Sequence, residues 1–224
     1  MSRPLALLRP EPGWSASADA AREAGLEVVG HPLFAVEPVA WSIPAGPFDA
    51  LLVGSAAAFR HGGGQLAALR HLPVHAVGET TAAAAREAGF RVVRIGAGGL
   101  QTLLDNAAPA RFLRLAGEDR VTLAPRRGQT IFEVEVYRLA ERPIAPRFAH
   151  DLATRHPVIA LHSAAAARRL AAAVDHLGLA RGELFLLALG PRIAKDAGVG
   201  WAAVHLAETP SDAALLVKAA ALCK

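Results

Sequence analysis

The sequence predicts an α/β protein of two similar lobes, each with parallel strands and alternating helices. Three observations predict it. First, one unit occurs twice. Leu51-Leu52-Val53-Gly54-Ser55 is followed by Val74-His75-Ala76-Val77-Gly78, and Val158-Ile159-Ala160-Leu161-His162-Ser163 by Leu186-Leu187-Ala188-Leu189-Gly190. Each copy reads as a buried strand ending in Ser, a helix, then a second buried strand ending in Gly and opening another helix. Second, a helix ending recurs: Ala21-Arg22-Glu23-Ala24-Gly25-Leu26, Ala85-Arg86-Glu87-Ala88-Gly89-Phe90, and more loosely Ala194-Lys195-Asp196-Ala197-Gly198-Val199. In each, Gly stops a helix before an apolar segment. Third, 53% of the 224 residues are hydrophobic, enough for two buried cores.

The elements follow in chain order. Leu5-Ala6-Leu7-Leu8 is a buried strand, broken at its carboxyl end by Arg9-Pro10-Glu11-Pro12-Gly13. Ser15 or Ser17 is placed to cap a helix running to Gly25. Leu26-Glu27-Val28-Val29 resumes a strand, and the short connections make the pair parallel. Pro32, Pro38, Pro44 and Pro47 punctuate the next stretch. The first copy of the repeat follows. Val92-Val93-Arg94-Ile95 is a further strand, and Gly96-Ala97-Gly98-Gly99 turns tightly into Leu100-Gln101-Thr102-Leu103-Leu104. Next come Phe112-Leu113-Arg114-Leu115-Ala116-Gly117 and the alternating strand Phe132-Glu133-Val134-Glu135-Val136-Tyr137, which Tyr137 ends. Pro143, Pro146 and Pro157 mark a second Pro-rich stretch before the second copy. These two stretches are the linkers between lobes. Strands alternating with helices throughout give a doubly wound architecture.

Several function classes are excluded. No apolar run approaches the roughly 20 residues that span a bilayer. The start, Met1-Ser2-Arg3-Pro4-Leu5, lacks a signal-peptide core, so the expected location is the cytoplasm. The single Cys223 forms no intrachain disulfide or thiolate cluster and is a surface or packing residue. The nine histidines form no H-x-x-x-H helix pair, since Pro73 interrupts the one such spacing, His71 to His75, so no metal site is expected. There is no G-x-S-x-G elbow, and Gln101 breaks a G-x-G-x-x-G reading of the loop at Gly96. Net charge is +4. Three of the 24 basic residues are lysines (Lys195, Lys218 and Lys224), so 21 are arginines. A GC-rich genome accounts for many of them, yet guanidinium forks also suit carboxylate or phosphate ligands. The basic residues are scattered and aromatics make up 5%, which argues against nucleic acid.

What remains is the strand ends. In open α/β sheets, ligands sit beyond the carboxyl ends of the strands. That rule selects Arg9, Ser55, Gly78, Thr80, Thr81, Gly117, Ser163, Gly190 and Arg192. Most offer backbone N–H groups at helix starts, suited to carboxylates. Taken one at a time, Ser55, Ser163 and Thr80 are explained by helix capping alone. As a set arranged twice, they point to a ligand. Tyr137, the only tyrosine, is either a junction aromatic or a weak acid that protonates a leaving oxygen.

These residues resemble the uroporphyrinogen-III synthase family over nearly the whole chain. The matching pieces are Leu7-Leu8-Arg9-Pro10, Phe48-Asp49-Ala50-Leu51-Leu52-Val53-Gly54-Ser55, Val77-Gly78-Glu79-Thr80-Thr81-Ala82 and Phe112-Leu113-Arg114-Leu115-Ala116-Gly117-Glu118. Val136-Tyr137, the strand ending in Ser163 and Leu189-Gly190-Pro191 complete them. The resemblance implies two flavodoxin-like parallel-sheet lobes joined by a two-stranded linker with crossed connectivity. One lobe takes residues 1–35 and 146–224, the other 36–145, with linker strands at about 33–38 and 137–146. It implies a cofactor-free lyase acting as a monomer on hydroxymethylbilane, a linear tetrapyrrole with eight carboxylates. The bilane is cyclised with loss of water and inversion of the last ring, through a spiro intermediate. The resemblance gives Tyr137 the role of assisting hydroxyl departure. Carboxylate binding falls to Ser55, Thr80, Thr81, Gly117, Ser163 and Gly190, and Arg9 is a partner by charge and position. The chain departs from the family pattern after Gly190-Pro191, where Arg192-Ile193 replace hydroxyl residues. Gly54 and His162 also stand where a hydroxyl residue is usual. These departures leave open a non-catalytic two-lobed module that binds a tetrapyrrole or another anion. A flavin or nucleotide binder is a third reading.

Overall fold

The computed structural model describes residues 2–224. In chain order it contains β1 (Leu5–Leu7), α1 (Gly13–Glu23), β2 (Val28–Val29), β3 (Phe34–Pro38) and β4 (Ala50–Val53). Then come α2 (Ala57–His61), a 3-10 turn (Gly64–Leu69), β5 (Val74–Val77), α3 (Glu79–Glu87), β6 (Val92–Gly96), α4 (Leu100–Asp105), β7 (Arg111–Gly117) and β8 (Thr130–Glu141). The remainder is α5 (Pro146–Arg155), β9 (Val158–Leu161), α6 (Ala164–His176), β10 (Phe185–Ala188), α7 (Pro191–Asp196), β11 (Ala203–Leu206) and α8 (Asp212–Leu222), with a 3-10 turn at Arg181–Glu183. No helix among the described residues is long and apolar enough to cross a membrane.

The chain divides into two compact units. One comprises Met1–Ala35 and Glu141–Lys224, the other Val36–Ala140. The first unit holds a five-stranded sheet ordered β2-β1-β9-β10-β11, parallel throughout. Its inner strands β1 and β9 are buried along their whole length, because helices cover both faces of a parallel sheet. Leu5, Leu7, Val158, Ala160 and Leu187 pack with Ala18, Ala21, Leu215 and Cys223 in one core. Cys223 is therefore a packing residue, and burial pushes its thiol up to about 11.

The second unit holds a six-stranded sheet ordered β3-β8-β7-β4-β5-β6, in which β8 through β6 run parallel. Leu51, Val53, Val74, Leu113, Leu115 and Val136 face α2 and α3 through Phe59, Ala82 and Ala85. Leu52, Leu103, Leu104 and Phe112 fill the opposite face.

The strand orders locate the switch points. In the first sheet the chain winds one way from β1 to β2 and the other way from β9 onward. In the second it winds from β4 through β5 to β6, and then β7 and β8 add on the other side of β4. The reversals fall between β1 and β9 and between β4 and β7. Ligand crevices of doubly wound sheets lie beyond the carboxyl ends of strands at such points.

Several expectations change. α1 starts at Gly13, and neither Ser15 nor Ser17 caps it. Ser15 instead bonds the Glu11 carboxylate, and Ser17 is fully buried. Tyr137 does not end its strand, since β8 continues to Glu141. The connection from β7 to β8, residues 118–129, contains no helix. Pro125 and Gly128 deny it a regular run, and its polar side chains leave no apolar stripe to hold a helix on the sheet.

Candidate active site

The second unit brings three of the selected residues together at its switch point. β4 and β7 are neighbours in register, with Val53 opposite Leu115. Just beyond that pair lie Ser55 and Gly117. Tyr137 arrives from β8 through a register shift. Ala116 pairs with Glu135, but Gly117 pairs with Tyr137, so Val136 is the extra residue. Such a bulge re-aims the side chain that follows it. Val136 stays fully buried in the core, and the Tyr137 ring comes to lie against Gly117. A Cβ on Gly117 would stand 2.7 Å from the ring, so the approach requires glycine. Gly54, Ser55, Leu100, Gly117, Arg120 and Tyr137 line a pocket of about 180 Å³ there. Ser55 Oγ accepts the Ala57 N–H at 3.2 Å in a turn leading into α2, whose cap position is Ala56.

Gly78, Thr80 and Thr81 follow β5, one strand away from the switch point, and do not line that pocket. Gly78 has φ +75°, a conformation that favours glycine, and sets the start of α3. Thr80 is exposed beside it. Thr81 is only 4% exposed and is turned toward the core, unlike Thr80.

A charge network flanks the pocket. Arg114, 2% exposed in the middle of β7, is in register with Glu133 of β8. Its Nη1 donates to Glu133 Oε1 at 2.6 Å and to the Val121 carbonyl at 2.8 Å. Arg120 donates to the other oxygen of Glu133 at 3.1 Å. None of these three residues is among the strand-end candidates. Their signal was present: a lone Arg inside the apolar run Phe112–Ala116, and two glutamates alternating with apolar residues on the next strand.

In the first unit, the switch point between β1 and β9 carries a different device. Asp212, in the first turn of α8, accepts from Ser17 Oγ (2.6 Å), from His162 Nε2 (2.8 Å) and from Arg9 Nη1 (3.2 Å). Arg9 Nη1 also donates to Ser17 Oγ at 3.0 Å. Arg9 therefore stands at the selected strand end already paired with a carboxylate. Burial pushes the Asp212 carboxyl up, but the bonds from Ser17 and His162 and the Arg9 charge together hold it below the usual range. An ionised Asp212 only accepts, so His162 keeps its proton on Nε2. Its Nδ1 is left as a buried acceptor without a partner. Burial lowers the His162 pKa from 6.5 and Arg9 adds to this, against the Asp212 bond.

A histidine with a lowered folded pKa contributes stability that is complete above 6.5 and lost as pH falls from 6.5 through the folded value. We expect the urea midpoint to drop below pH 6.5, with His162 contributing at most about 1.4 kcal/mol per pH unit. His162→Gln should flatten that slope, leaving the part due to His75 and His61, which burial lowers in the same direction. An unchanged slope would remove His162 from the acid response.

Ser163, Gly190 and Arg192 follow β9 and β10. With Leu189, Pro191, Ile193 and Pro210 they line a pocket of about 380 Å³. Ser163 Oγ accepts the Ala166 N–H at 3.2 Å and caps α6. Gly190 is extended, φ −171°, and no atom lies within 4 Å of where its Cβ would be. Neither backbone nor packing therefore demands glycine there. Arg192 is exposed and makes no ion pair among the described residues. No group of His, Cys, Asp or Glu able to hold a metal occurs among the described residues.

Similar proteins are consistent with this geometry. A uroporphyrinogen-III synthetase from Helicobacter pylori superposes with a TM-score of 0.67 at 17% identity, covering 98% of this chain and 99% of that one. A mutant uroporphyrinogen III synthase from Thermus thermophilus gives 0.51 at 18% identity, covering 99% and 100%. At these identities the likeness shows a shared fold of α/β type with parallel sheets. No curated protein sequence matches the chain. The family model for uroporphyrinogen-III synthase HemD matches residues 15–217, and the chain therefore belongs to the uroporphyrinogen-III synthase family, lyases of heme biosynthesis.

Proposed function

We propose that this chain converts hydroxymethylbilane to uroporphyrinogen III, with loss of water and inversion of the last ring. Beyond family membership, the observation that carries the reading is the convergence of Ser55, Gly117 and Tyr137 in one pocket at the switch point of the second sheet. In this reading Tyr137 donates its phenolic proton to the departing hydroxyl, which leaves as water. The substituted carbon of the last ring then bonds to the exposed methylene carbon, forming the spiro intermediate. After rearrangement, the proton lost from the ring carbon restores the tyrosine. No cofactor takes part. The bilane also closes spontaneously to the uninverted isomer, so holding the end rings for the alternative bond is the main task.

Carboxylates of the substrate are bound by backbone N–H groups at the strand ends: Ser55, Gly78 and Gly117 in the second unit, Ser163 and Gly190 in the first. Thr80 adds a hydroxyl. Thr81 serves by its N–H alone, given its buried side chain. The open space above Gly190 supports this, since glycine there serves no folding need. Arg192 supplies a charged donor where the family has a hydroxyl. Arg9 contributes through the carboxylate network it shares with Asp212. The strand order β2-β1-β9-β10-β11 is the flavodoxin order and supports a flavodoxin-like first lobe. The second sheet follows a different order, with β4 and β7 adjacent at its centre. β3 and β8, which run through the unit boundaries at residues 35–36 and 140–141, serve as the linker strands. The protein acts as a monomer in the cytoplasm.

The test is to incubate the protein with hydroxymethylbilane and resolve the oxidised products by chromatography. An excess of the III isomer over the protein-free control is expected. A product mixture identical to the control rejects the activity and leaves a binding module. Within the mechanism, Tyr137→Phe should lower kcat by about 100-fold, the low end for loss of a general acid, because positioning persists. An unchanged rate would take Tyr137 out of the chemistry.

A further inference from the structure

The Tyr137 pocket contains a cation that is neither buried nor fully paired. Arg120 lies on the helix-free crossover, three residues beyond Gly117. It lines the pocket that holds Ser55 and Tyr137, and also a neighbouring one of about 560 Å³ formed with Val121, Thr122 and Glu133. Its guanidinium is held along one side. Nε donates to Glu133 Oε2 at 3.1 Å, and Nη1 to the carbonyls of Gly117 (3.2 Å) and Glu118 (3.0 Å). Nη1 also lies 3.5 Å from Glu135 Oε2, the longest of these contacts. Nη2 has no partner among the described residues.

Its anchor is itself anchored. The other oxygen of Glu133 is taken by buried Arg114 at 2.6 Å, so Arg114 fixes Glu133 and Glu133 fixes the plane of Arg120. One carboxylate between two guanidiniums leaves a positive charge, which Glu135 offsets only through its long contact. A guanidinium oriented in advance loses little rotamer freedom when it binds, and its end-on edge matches a carboxylate.

We propose that Arg120 binds a carboxylate arm of the substrate through Nη1 and Nη2, taking the place of Glu135, with Arg114 and Glu133 as positioning residues. The proposal deepens the function above and rests on its reading that the substrate is a polycarboxylate. Glu135 is a resident competitor that occupies the guanidinium until the substrate arrives. A purely structural Arg120, tying the crossover to the sheet, would instead need Glu135.

Steady-state kinetics with hydroxymethylbilane separate the two roles. Arg120→Gln should raise KM about 10- to 100-fold, as expected for a hydrogen-bonded charge, with kcat changed less than KM. Arg120→Lys, which keeps the charge but loses the fork, should fall between. Glu135→Gln should lower KM about 2- to 5-fold, the size of a loosely made exposed pair. Binding of uroporphyrin I, a macrocycle with eight carboxylates, followed by tryptophan fluorescence at low and high salt, should show the same order. If the wild type binds uroporphyrin through Arg120 but gives no excess of the III isomer, the proposed reaction fails and the anchor stands. A rise in KM for Glu135→Gln, or KM and uroporphyrin affinity within twofold of wild type for Arg120→Gln, would overturn the proposal. Should Arg120→Gln not fold, Glu135→Gln and Arg120→Lys decide it.

Discussion

Gly117→Ala is expected to reduce turnover by about two orders of magnitude, the scale of a displacement near 1 Å at the reacting groups. The physical reason is local. The added Cβ would stand 2.7 Å from the Tyr137 ring and 3.0 Å from its hydroxyl oxygen. A ring at the end of a side chain moves more easily than backbone, so the fold should survive and the tyrosine should swing away. The melting temperature should therefore change little while kcat falls. A double-mutant cycle sharpens the test. In a Tyr137→Phe background most of the hydroxyl's contribution is already lost, so adding Gly117→Ala should cost clearly less than it does alone. Undiminished activity of Gly117→Ala would mean that the ring position is immaterial. Equal losses in both backgrounds would place the effect elsewhere.

The second large effect concerns stability. Arg114→Ala should destabilise the protein by about 3 kcal/mol, the lower end for breaking a buried pair, because Glu133 keeps Arg120. Arg114 is 2% exposed, and its loss strips a donor from Glu133 and from the Val121 carbonyl while leaving a void in the sheet face. Urea unfolding followed by circular dichroism reads the change. Replacing both Arg114 and Glu133 by leucine should recover most of it, since a well-packed apolar pair substitutes for a buried ion pair. A loss under about 1 kcal/mol for Arg114→Ala would show that the crossover is held by other contacts.

The strands that end in Ser55, Gly78, Ser163 and Gly190 were legible because each couples an apolar run to a residue that starts a helix. Chain order alone then set parallel pairing. The α1 start was misplaced for a physical reason: Ser17 had a better partner in Asp212, 195 residues away, than in its own helix. Long-range carboxylates of that kind leave no local trace. The same holds for the bulge at Ala116/Gly117, which decides where Tyr137 points yet has no sequence signature in Glu135-Val136-Tyr137. Thr81 is selected by the same strand-end rule as Thr80. On a helix, adjacent residues face directions about 100° apart, and Thr81 took the inward one. The Arg114–Glu133–Arg120 network was visible only as polarity in apolar strands. Its meaning required knowing that the crossover had no helix to cover that face.

The strand β1 has a temporal side. It lies between β2 and β9, and its pairing with Val158–Ala160 uses residues made about 150 positions later. At roughly 5–20 residues per second, Leu5, Leu7 and Leu8 wait on the order of 10–30 s on a translating ribosome before that neighbour exists. The unit formed by Val36–Ala140 is continuous, so all of its strands are synthesised within this interval. The nascent chain thus carries the whole continuous unit together with an apolar strand that has β2 on one side and no neighbour on the other, a state that holdase chaperones are suited to shelter.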